Sequence, residues 1–329
     1  MTLAVITGAS GMLGGNLAAA LRAERVQVRA TRRPSTKIAH LAHLDIEWVH
    51  ADLDDLPGLT RAFTGADVVF HAAAAVEVTP TLTPALRKAN VDGTAAVLAA
   101  MRAAGAGRLV HVSSAVAVGL STDGRPCDES APWNFLDYGL ADGYAISKHQ
   151  AEDLVRAAST DLDVVIVNPT YMLGPLDARP SSGQLIVNVA RRKVPAWTPG
   201  LNDFVDVRDV ARGTLAAWRK GVRGQRYILG GERMSYRAIF ERIARAAGVA
   251  PPRWPAPRLA ALALGTAGDV YQRLTGKPPL VNSMATRYAY TDRFQFTHAR
   301  AARELGYRHG SIDVAIADAI AWFRDHRML

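Results

Sequence analysis

Tyr144 and Lys148 stand four residues apart in a segment with a helical apolar pattern, so both side chains lie on one face of the predicted helix. A free tyrosine is a poor acid or base near neutral pH because its pKa is about 10, and a nearby ammonium would lower that pKa. Ser114 follows a predicted strand and could donate a hydrogen bond to a substrate oxygen on which charge develops. These residues predict acid–base chemistry at an oxygen atom; the alternative is an ordinary helix face and a serine bonded to nearby backbone.

A glycine-rich turn over residues 7–14 follows the first predicted strand and opens a helix. Its three glycines are Gly8, Gly11 and Gly14; they allow a tight turn, close approach of backbone to a pyrophosphate, and a helix N-terminus aimed at the anion. The spacing G-x-x-G-x-x-G differs from the G-x-G-x-x-G of many dehydrogenases. The turn predicts a dinucleotide site formed by Thr7, Gly8, Ser10, Gly11, Met12 and Leu13.

The end of the second predicted strand should select between NAD and NADP. An acidic residue there would bond the free 2′-hydroxyl of NAD, whereas arginines pair with the 2′-phosphate of NADP. The chain has Thr31, Arg32 and Arg33 at this place and Lys37 a little beyond, which favours NADP(H) unless the arginines are simply solvated. Further along, residues expected at the adenine or close to the cofactor backbone are Asp52, Leu53, Ala72, Ala73 and Ala74.

Short apolar runs alternate with amphipathic segments through the first half, which is typical of a parallel sheet with crossover helices. Strands are predicted at residues 3–7, 26–31, 46–50, 66–71, 108–112, 164–167 and 226–229. Right-handed crossovers then predict an α/β fold with a doubly wound parallel (Rossmann) sheet. Residues 1–170 should form the NADP-binding domain, and residues 171–329 mainly a smaller, discontinuous C-terminal substrate lobe, with about 203–229 returning to the sheet.

Composition limits the possible partners. The 329 residues are 49% hydrophobic and 21% charged, the balance of a globular protein. The net charge of +9 is scattered, so we expect a positive field for an anionic cofactor rather than nucleic-acid binding. The nine histidines offer no convincing ligand pair, so no metal site is predicted.

The remaining sequence features concern compartment and membranes. Cys127 is the single cysteine, and the N-terminus has no signal-peptide pattern, so the cytoplasm is the expected compartment. No apolar run approaches the ~20 residues that span a bilayer, so no stable membrane insertion is expected. Residues 258–274 combine leucines with flanking arginines and could lie on a membrane surface, but packing against the core is favoured.

Together these motifs resemble the extended short-chain dehydrogenase/reductase family, from Leu3 to about Pro175 and more loosely to the C-terminus. Within it, the chain is most similar to dihydroflavonol-reductase-like enzymes and to bacterial proteins labelled hopanoid-associated sugar epimerases. Besides the turn and the Tyr144 to Lys148 pair, the resemblance rests on Asp52-Leu53, His71-Ala72-Ala73, Asn90-Val91-Asp92-Gly93-Thr94, Val112-Ser113-Ser114-Ala115, Asn168-Pro169-Thr170 and Asp203-Phe204-Val205-Asp206-Val207-Arg208-Asp209.

The resemblance implies roles for particular residues. Tyr144 would exchange a proton with the substrate, Lys148 would bind the nicotinamide ribose, and Ser114 would polarise the carbonyl. Asn90 would fix the active-site backbone or a water. Residues implied beside the cofactor are Val112, Asn168, Pro169 and Thr170, and those implied at a small-molecule substrate are Val76, Ala115, Tyr171, Met172, Trp197 and Phe204.

The leading hypothesis is an NADPH-dependent reductase of a ketone or aldehyde. The second is a nucleotide-sugar epimerase or dehydratase with a retained cofactor; it is weakened by Val118-Gly119, where sugar epimerases have Tyr-Gly, and by the missing acid after the second strand. A non-catalytic NADP sensor is the third, and it would not need the intact Ser-Tyr-Lys set. A homodimer through sheet-side helices is common in the family, and Ala141, Ala145 and Ala151 are compatible with one.

Overall fold

A computed structural model describes residues 2–277, 279 and 281–329. Buried runs rich in valine and isoleucine form the strands, because branched side chains pack well on a pleated surface. The strands are β1 Leu3–Thr7, β2 Gln27–Arg32, β3 Ile46–His50, β4 Val68–His71, β5 Arg108–Val112, β6 Val164–Pro169, β7 Tyr171–Leu173, β8 Ala196–Trp197, β9 Leu201–Asp206, β10 Arg226–Leu229, β11 Glu232–Ser235 and β12 Trp254–Pro255.

Several helices begin where a polar side chain caps the first turn. Asp142, Ser235 and Ser311 each accept a hydrogen bond from a backbone N–H of the helix that follows. The helices are α1 Met12–Ala23, α2 Leu56–Phe63, α3 Pro84–Leu86, α4 Gly93–Ala104, α5 Gly143–Ala158, α6 Gln184–Ala190, α7 Val207–Lys220, α8 Tyr236–Ala247, α9 Arg258–Thr275, α10 Ser283–Tyr290 and α11 Ile312–Asp325.

Seven strands form one parallel sheet in the order β10-β6-β5-β4-β1-β2-β3. Apolar clusters cover both faces: α1 and α7 pack on one side, and α2, α4 and α5 on the other. The predicted doubly wound Rossmann fold is therefore confirmed. Since all strands are parallel, their carboxyl ends share one edge, and the glycine turn, Ser114 and Asn168 meet there.

The second half of the chain contributes both to the seven-stranded sheet and to a smaller, separate sheet. α7 packs against α1, and β10 pairs with β6 at the edge of the large sheet. β9 instead pairs with β7 and β11 in a three-stranded sheet, which packs with α6, α8 and α11 around a core of its own. β6 also runs two residues beyond the predicted 164–167, through Asn168 and Pro169, because the pairing with β10 extends that far.

Two expectations about apolar surfaces are wrong. Ala145 and Ala151 are fully buried within the chain's own core, so they offer no face for a dimer. α9 does not pack its leucines into a core, since Leu259 and Leu274 are 83% and 81% exposed and Gly265 is its one buried residue.

Candidate active site

The glycine turn has two glycines that the fold itself requires. Gly8 has φ +80°, and a Cβ there would stand 2.6 Å from the Ala73 backbone nitrogen. A Cβ at Gly14 would overlap the carbonyl oxygen of Gly8. Gly11 differs, because the nearest atom to its Cβ would be the Gly8 oxygen at 3.4 Å, an ordinary contact. Among the described residues, that oxygen is the only atom within 4 Å of the Cβ position, so the backbone of Gly11 is open to a ligand.

The N-terminus of α1 suits an anion. Gly11 is its N-cap without a side-chain cap, and the first turn contains no acidic residue. Gly11 is exposed and Ser10 half-buried, whereas Met12 and Leu13 are buried in the sheet core. Thr7 is fully buried, and its hydroxyl lies 2.7 Å from Nδ1 of His71, so it supports the turn from beneath.

The basic residues after β2 have no acidic partners in the part of the chain that the structure describes. Arg29, on the same strand, pairs with Glu47 at 3.0 Å, whereas Arg32, Arg33 and Lys37 have no carboxylate within salt-bridge distance. Arg33 and Lys37 are exposed, and the buried Nε of Arg32 has no hydrogen-bond partner. Thr31 is buried beside them. These cations are available to a phosphate.

The turns after β3 and β4 border the same edge of the sheet. Asp52 is exposed and accepts a hydrogen bond from the N–H of Leu53 at 2.8 Å. Ala72 donates its N–H to the Thr7 carbonyl at 3.1 Å, which fixes the backbone after β4 to that of β1. Ala73 contacts Gly8, and Ala74 is exposed. The small side chains keep this backbone accessible.

Ser114 and the first turns of α5 bring the predicted acid–base residues together. Ser114 precedes the short 3-10 turn Ala115–Ala117 directly after β5, and its hydroxyl is near enough to Tyr144 to lower the pKa of that phenol. Lys148, one helical turn beyond Tyr144, is buried and donates to the carbonyl of Val112 at 2.8 Å. The spacing that places both residues on one face of α5 thus joins them to the end of β5.

Burial sets the protonation of this group. Desolvation raises the pKa of Tyr144 to about 12, against the nearby Ser114 hydroxyl, which lowers it; the charge of Asp142 raises it further. The expected lowering by Lys148 is therefore not what the structure gives, because its ammonium is directed at the Val112 carbonyl. Desolvation lowers the pKa of Lys148 to about 8, against the charge of Glu152, which raises it. Tyr144 is thus a protonated phenol at neutral pH.

Asn90 fixes backbone on two sides of the site. It lies in the π-helical turn Arg87–Asp92, accepts from the N–H of Ala75 at 2.8 Å and donates to its carbonyl at 2.9 Å. Its amide also donates to the hydroxyl of Ser147, the neighbour of Lys148 in α5. Asn90 thereby ties the loop after β4 to the helix that carries the acid–base pair.

Several other predicted residues lie deeper than a ligand contact requires. Asn168 is fully buried and donates to the Ser114 carbonyl at 2.9 Å and to Glu152 at 2.7 Å. Pro169 is buried, and the Thr170 hydroxyl donates to Asp203 at 2.8 Å. Asn168 therefore positions Ser114 from behind.

The residues predicted at the substrate are dispersed. Phe204 is fully buried in the core of the small lobe, so it does not face a ligand, and Ala115 is buried as well. Tyr171 packs on Phe204, and Trp197 lies under the guanidinium of Arg237. Val76 is exposed on the loop after β4, and Met172 is half-buried against the large core.

Sequence reasoning missed a buried charge network behind the site. Glu152 is buried one helical turn beyond Lys148 and accepts from Arg226 at 2.8 Å. Arg226 belongs to β10, and its guanidinium also donates to the carbonyl of Glu129. The four-residue spacing from Lys148 to Glu152 indicates that both lie on one face of α5. The partner of Glu152, Arg226 on β10, is 74 residues away along the chain and so could not be predicted from that spacing.

Comparisons with known proteins show the family. The model described as the NAD dependent epimerase/dehydratase family matches residues 4–230, so the chain belongs to that family. This confirms the resemblance to extended short-chain dehydrogenases/reductases and supports a nicotinamide dinucleotide as the cofactor. The chain is thus placed in a family of NAD(P)-dependent oxidoreductases and epimerases.

Individual relatives include proteins named as reductases. The putative dihydroflavonol 4-reductase of Synechocystis sp. is 35% identical, over 98% of this chain and 94% of the relative. The sterol demethylase protein B of Methylococcus capsulatus is 34% identical, over 99% of both. The crystal structure of PA4631, described as a nucleoside-diphosphate-sugar epimerase from Pseudomonas aeruginosa, superposes with a TM-score of 0.84 at 28% identity, over 100% of this chain and 99% of that one.

Two further findings bear on partners. Across the described residues, no helix is both long enough and apolar enough to cross a membrane. Within those same residues, no three histidine, cysteine or acidic side chains converge as a metal site would require.

Proposed function

We propose that the protein is an NADPH-dependent reductase that converts a ketone or aldehyde of a small organic molecule to an alcohol. The observation that carries the proposal is the joining of Ser114, Tyr144 and Lys148 at the end of β5, on the edge of the sheet that holds the phosphate turn. The 35% identity to a protein named as a reductase supports it.

The proton chemistry favours reduction. A phenol whose pKa is raised to about 12 keeps its proton at neutral pH and can donate it to a carbonyl oxygen that gains charge. Ser114, near Tyr144, would donate a second hydrogen bond to that oxygen. The nicotinamide, when bound, supplies the hydride. Lys148 would hold the ribose, with its carbonyl partner Val112 fixing its position.

The cofactor preference rests on Arg32, Arg33 and Lys37. Among the described residues these cations lack carboxylate partners, and no acid follows β2 to repel a 2′-phosphate. Guanidinium groups bind phosphate through charge-assisted hydrogen bonds, each contributing about 1.5–3 kcal/mol. Exposed Gly11 would let the pyrophosphate approach the backbone of α1.

Turnover of NADPH with a panel of aldehydes, diketones, cyclic ketones and sugars tests the reaction. Tyr144→Phe should abolish turnover while its NADPH affinity stays at the wild-type value, because the hydroxyl alone is removed. Tyr271→Phe, at an exposed position on α9, is the matched control and should leave turnover unchanged. Near-normal turnover by Tyr144→Phe would refute the assigned role.

Comparing the two cofactors tests the preference separately. Changing Arg32 and Arg33 to serine should weaken NADPH binding by about 10–100-fold per residue and leave NADH binding nearly unchanged. Arg61→Ser, on the exposed last turn of α2, should alter neither. A wild-type protein that prefers NADH would overturn the assignment.

A second candidate is a nucleotide-sugar epimerase or dehydratase, favoured by the family description and by the likeness to PA4631. Such an enzyme retains its cofactor between turnovers. Tightly bound NAD in the freshly purified protein, with no net NADPH consumption, would support this candidate and count against the reductase.

A further inference from the structure

Helix α9 presents an uncharged stripe to solvent along its whole length. With about 100° between successive residues, eight of its positions fall on one arc of about 140°. All eight are exposed, and none is charged: Leu259, Ala260, Ala263, Leu264, Ala267, Val270, Tyr271 and Leu274. From Leu259 to Leu274 this stripe, the α9 stripe, is about 22 Å long.

The opposite face of α9 is fitted closely to the chain. A Cβ at Gly265 would stand 2.7 Å from the hydroxyl of Thr286, and one at Gly268 would overlap the carbonyl of Val281. Asp269, the one acid of the helix, points inward and accepts from the N–H of Ser283. The α9 stripe is therefore the outer face of a helix already docked on α10, and no acidic side chain interrupts it.

Cations stand at both ends of the α9 stripe. Arg253 and Arg258 lie at its N-terminal end, and Arg273 and Lys277 at its C-terminal end; all four are exposed, and within the described residues none forms a salt bridge. Trp254, 73% exposed, stands just before the helix. Indole rings favour the boundary between water and hydrocarbon.

We propose that α9 and the adjoining Trp254 bind the surface of an anionic lipid bilayer. A broad apolar arc with cations at both ends suits an interfacial helix, because the arc can enter the acyl boundary while the cations meet lipid phosphates. A second copy of the chain fits less well. Pairing two α9 stripes, parallel or antiparallel, would bring the cations of one copy against those of the other.

The surface has a structural link to the candidate active site. The side chain of Asn282, which caps α10, donates to the carbonyl of Val78 on the loop after β4. Tyr288 of α10 donates to the carbonyl of Leu140, just before α5. The α9 stripe is thus carried by a helix pair bonded to both segments that flank the acid–base residues.

Co-sedimentation of the full chain with vesicles tests the proposal without reference to catalysis. We expect binding to vesicles of phosphatidylcholine mixed with phosphatidylglycerol, at least tenfold weaker binding to phosphatidylcholine alone, and progressive release as NaCl is added. Arg258→Ser combined with Arg273→Ser should weaken binding about 25-fold, because each cation near an anionic surface contributes about fivefold.

Changing both Leu259 and Leu274 to glutamate should abolish sedimentation with the vesicles while thermal unfolding stays unchanged, since both side chains are exposed. Val222→Glu, exposed on the turn between α7 and β10, is the matched control and should bind as wild type does. Wild-type protein that stays in the supernatant would overturn the proposal. So would a leucine double variant that binds normally, or one whose only effect is to dissociate a dimer on size exclusion.

Discussion

Replacing Gly11 with alanine separates what the fold requires of the phosphate turn from what a cofactor requires. Gly11 has φ −85° and ψ 167°, angles that alanine adopts freely. The added methyl would meet only the Gly8 carbonyl oxygen, at 3.4 Å. We therefore expect the variant to fold normally and to lose affinity for the dinucleotide.

The magnitudes follow from the local geometry. Alanine restricts the unfolded chain, which stabilises by about 0.4–1 kcal/mol, and it is a poorer N-cap than glycine by a similar amount. The net change stays within about 1 kcal/mol, a Tm shift of about 2 °C or less for a chain of this length. A methyl between backbone and pyrophosphate should cost about 2–3 kcal/mol of binding, or about 30–150-fold in Kd.

Thermal melting followed by circular dichroism, together with titration of NADPH fluorescence, measures both quantities. Gly14→Ala is the contrasting variant, because its methyl would overlap the Gly8 carbonyl and stand 2.7 Å from the Cα of Ala9. That variant should lose stability and binding together. The reasoning fails if Gly11→Ala binds NADPH within threefold of wild type, or if it melts as early as Gly14→Ala.

Three further predictions concern the buried charges. Glu152→Gln should lower the free energy of unfolding in urea by about 3–5 kcal/mol, because it leaves the guanidinium of Arg226 without a counter-charge. The double variant Glu152→Leu with Arg226→Met should recover most of that loss. The pKa of Asp142 is raised to about 6 by burial, so its contribution to stability is present at pH 4 and lost as pH rises through 6. Asp142→Asn, which keeps the helix cap, should remove about 3 kcal/mol of that pH dependence. An unchanged profile of stability against pH would contradict this prediction. The pKa of Lys148 is lowered to about 8, so the unfolded chain holds the proton more tightly and stability should rise between pH 8 and 10.5; the rise should be smaller in Lys148→Met melts.

The inner strands were predictable because a parallel sheet buries both of their faces. Runs such as residues 3–7 and 108–112 are mainly apolar, and the structure has the same bounds for β1 and β5. The glycine turn was equally predictable, since Gly8 and Gly14 are required by contacts within the turn itself and with the backbone that follows the neighbouring strand. Such local and periodic constraints can be recognised from a short segment of sequence.

The errors came from features that depend on distant partners. Phe204, Leu259 and Leu274 are all apolar, yet Phe204 is fully buried, whereas the two leucines are 83% and 81% exposed. The sequence around Phe204 does not indicate that β9 pairs with β7 and β11 rather than joining the seven-stranded sheet. For α9, Gly265 and Gly268 mark the face that packs against the chain, and this role becomes clear only when α10 and the residues before it are in place. The pKa of Tyr144 was missed for the same reason, because desolvation is a property of the assembled core.

The Glu152 network bears on where the catalytic unit ends. Asn168 holds the carbonyl of Ser114 and is itself held by Glu152, whose charge also raises the pKa of Lys148. Arg226, on β10, donates to that buried carboxylate and supplies a counter-charge from the second half of the chain. Residues 1–170 contain every predicted acid–base group, yet they lack this cation. The return of the second half to the sheet is therefore part of the site's electrostatics, and a chain cut after residue 170 would leave Glu152 unpaired beneath Lys148.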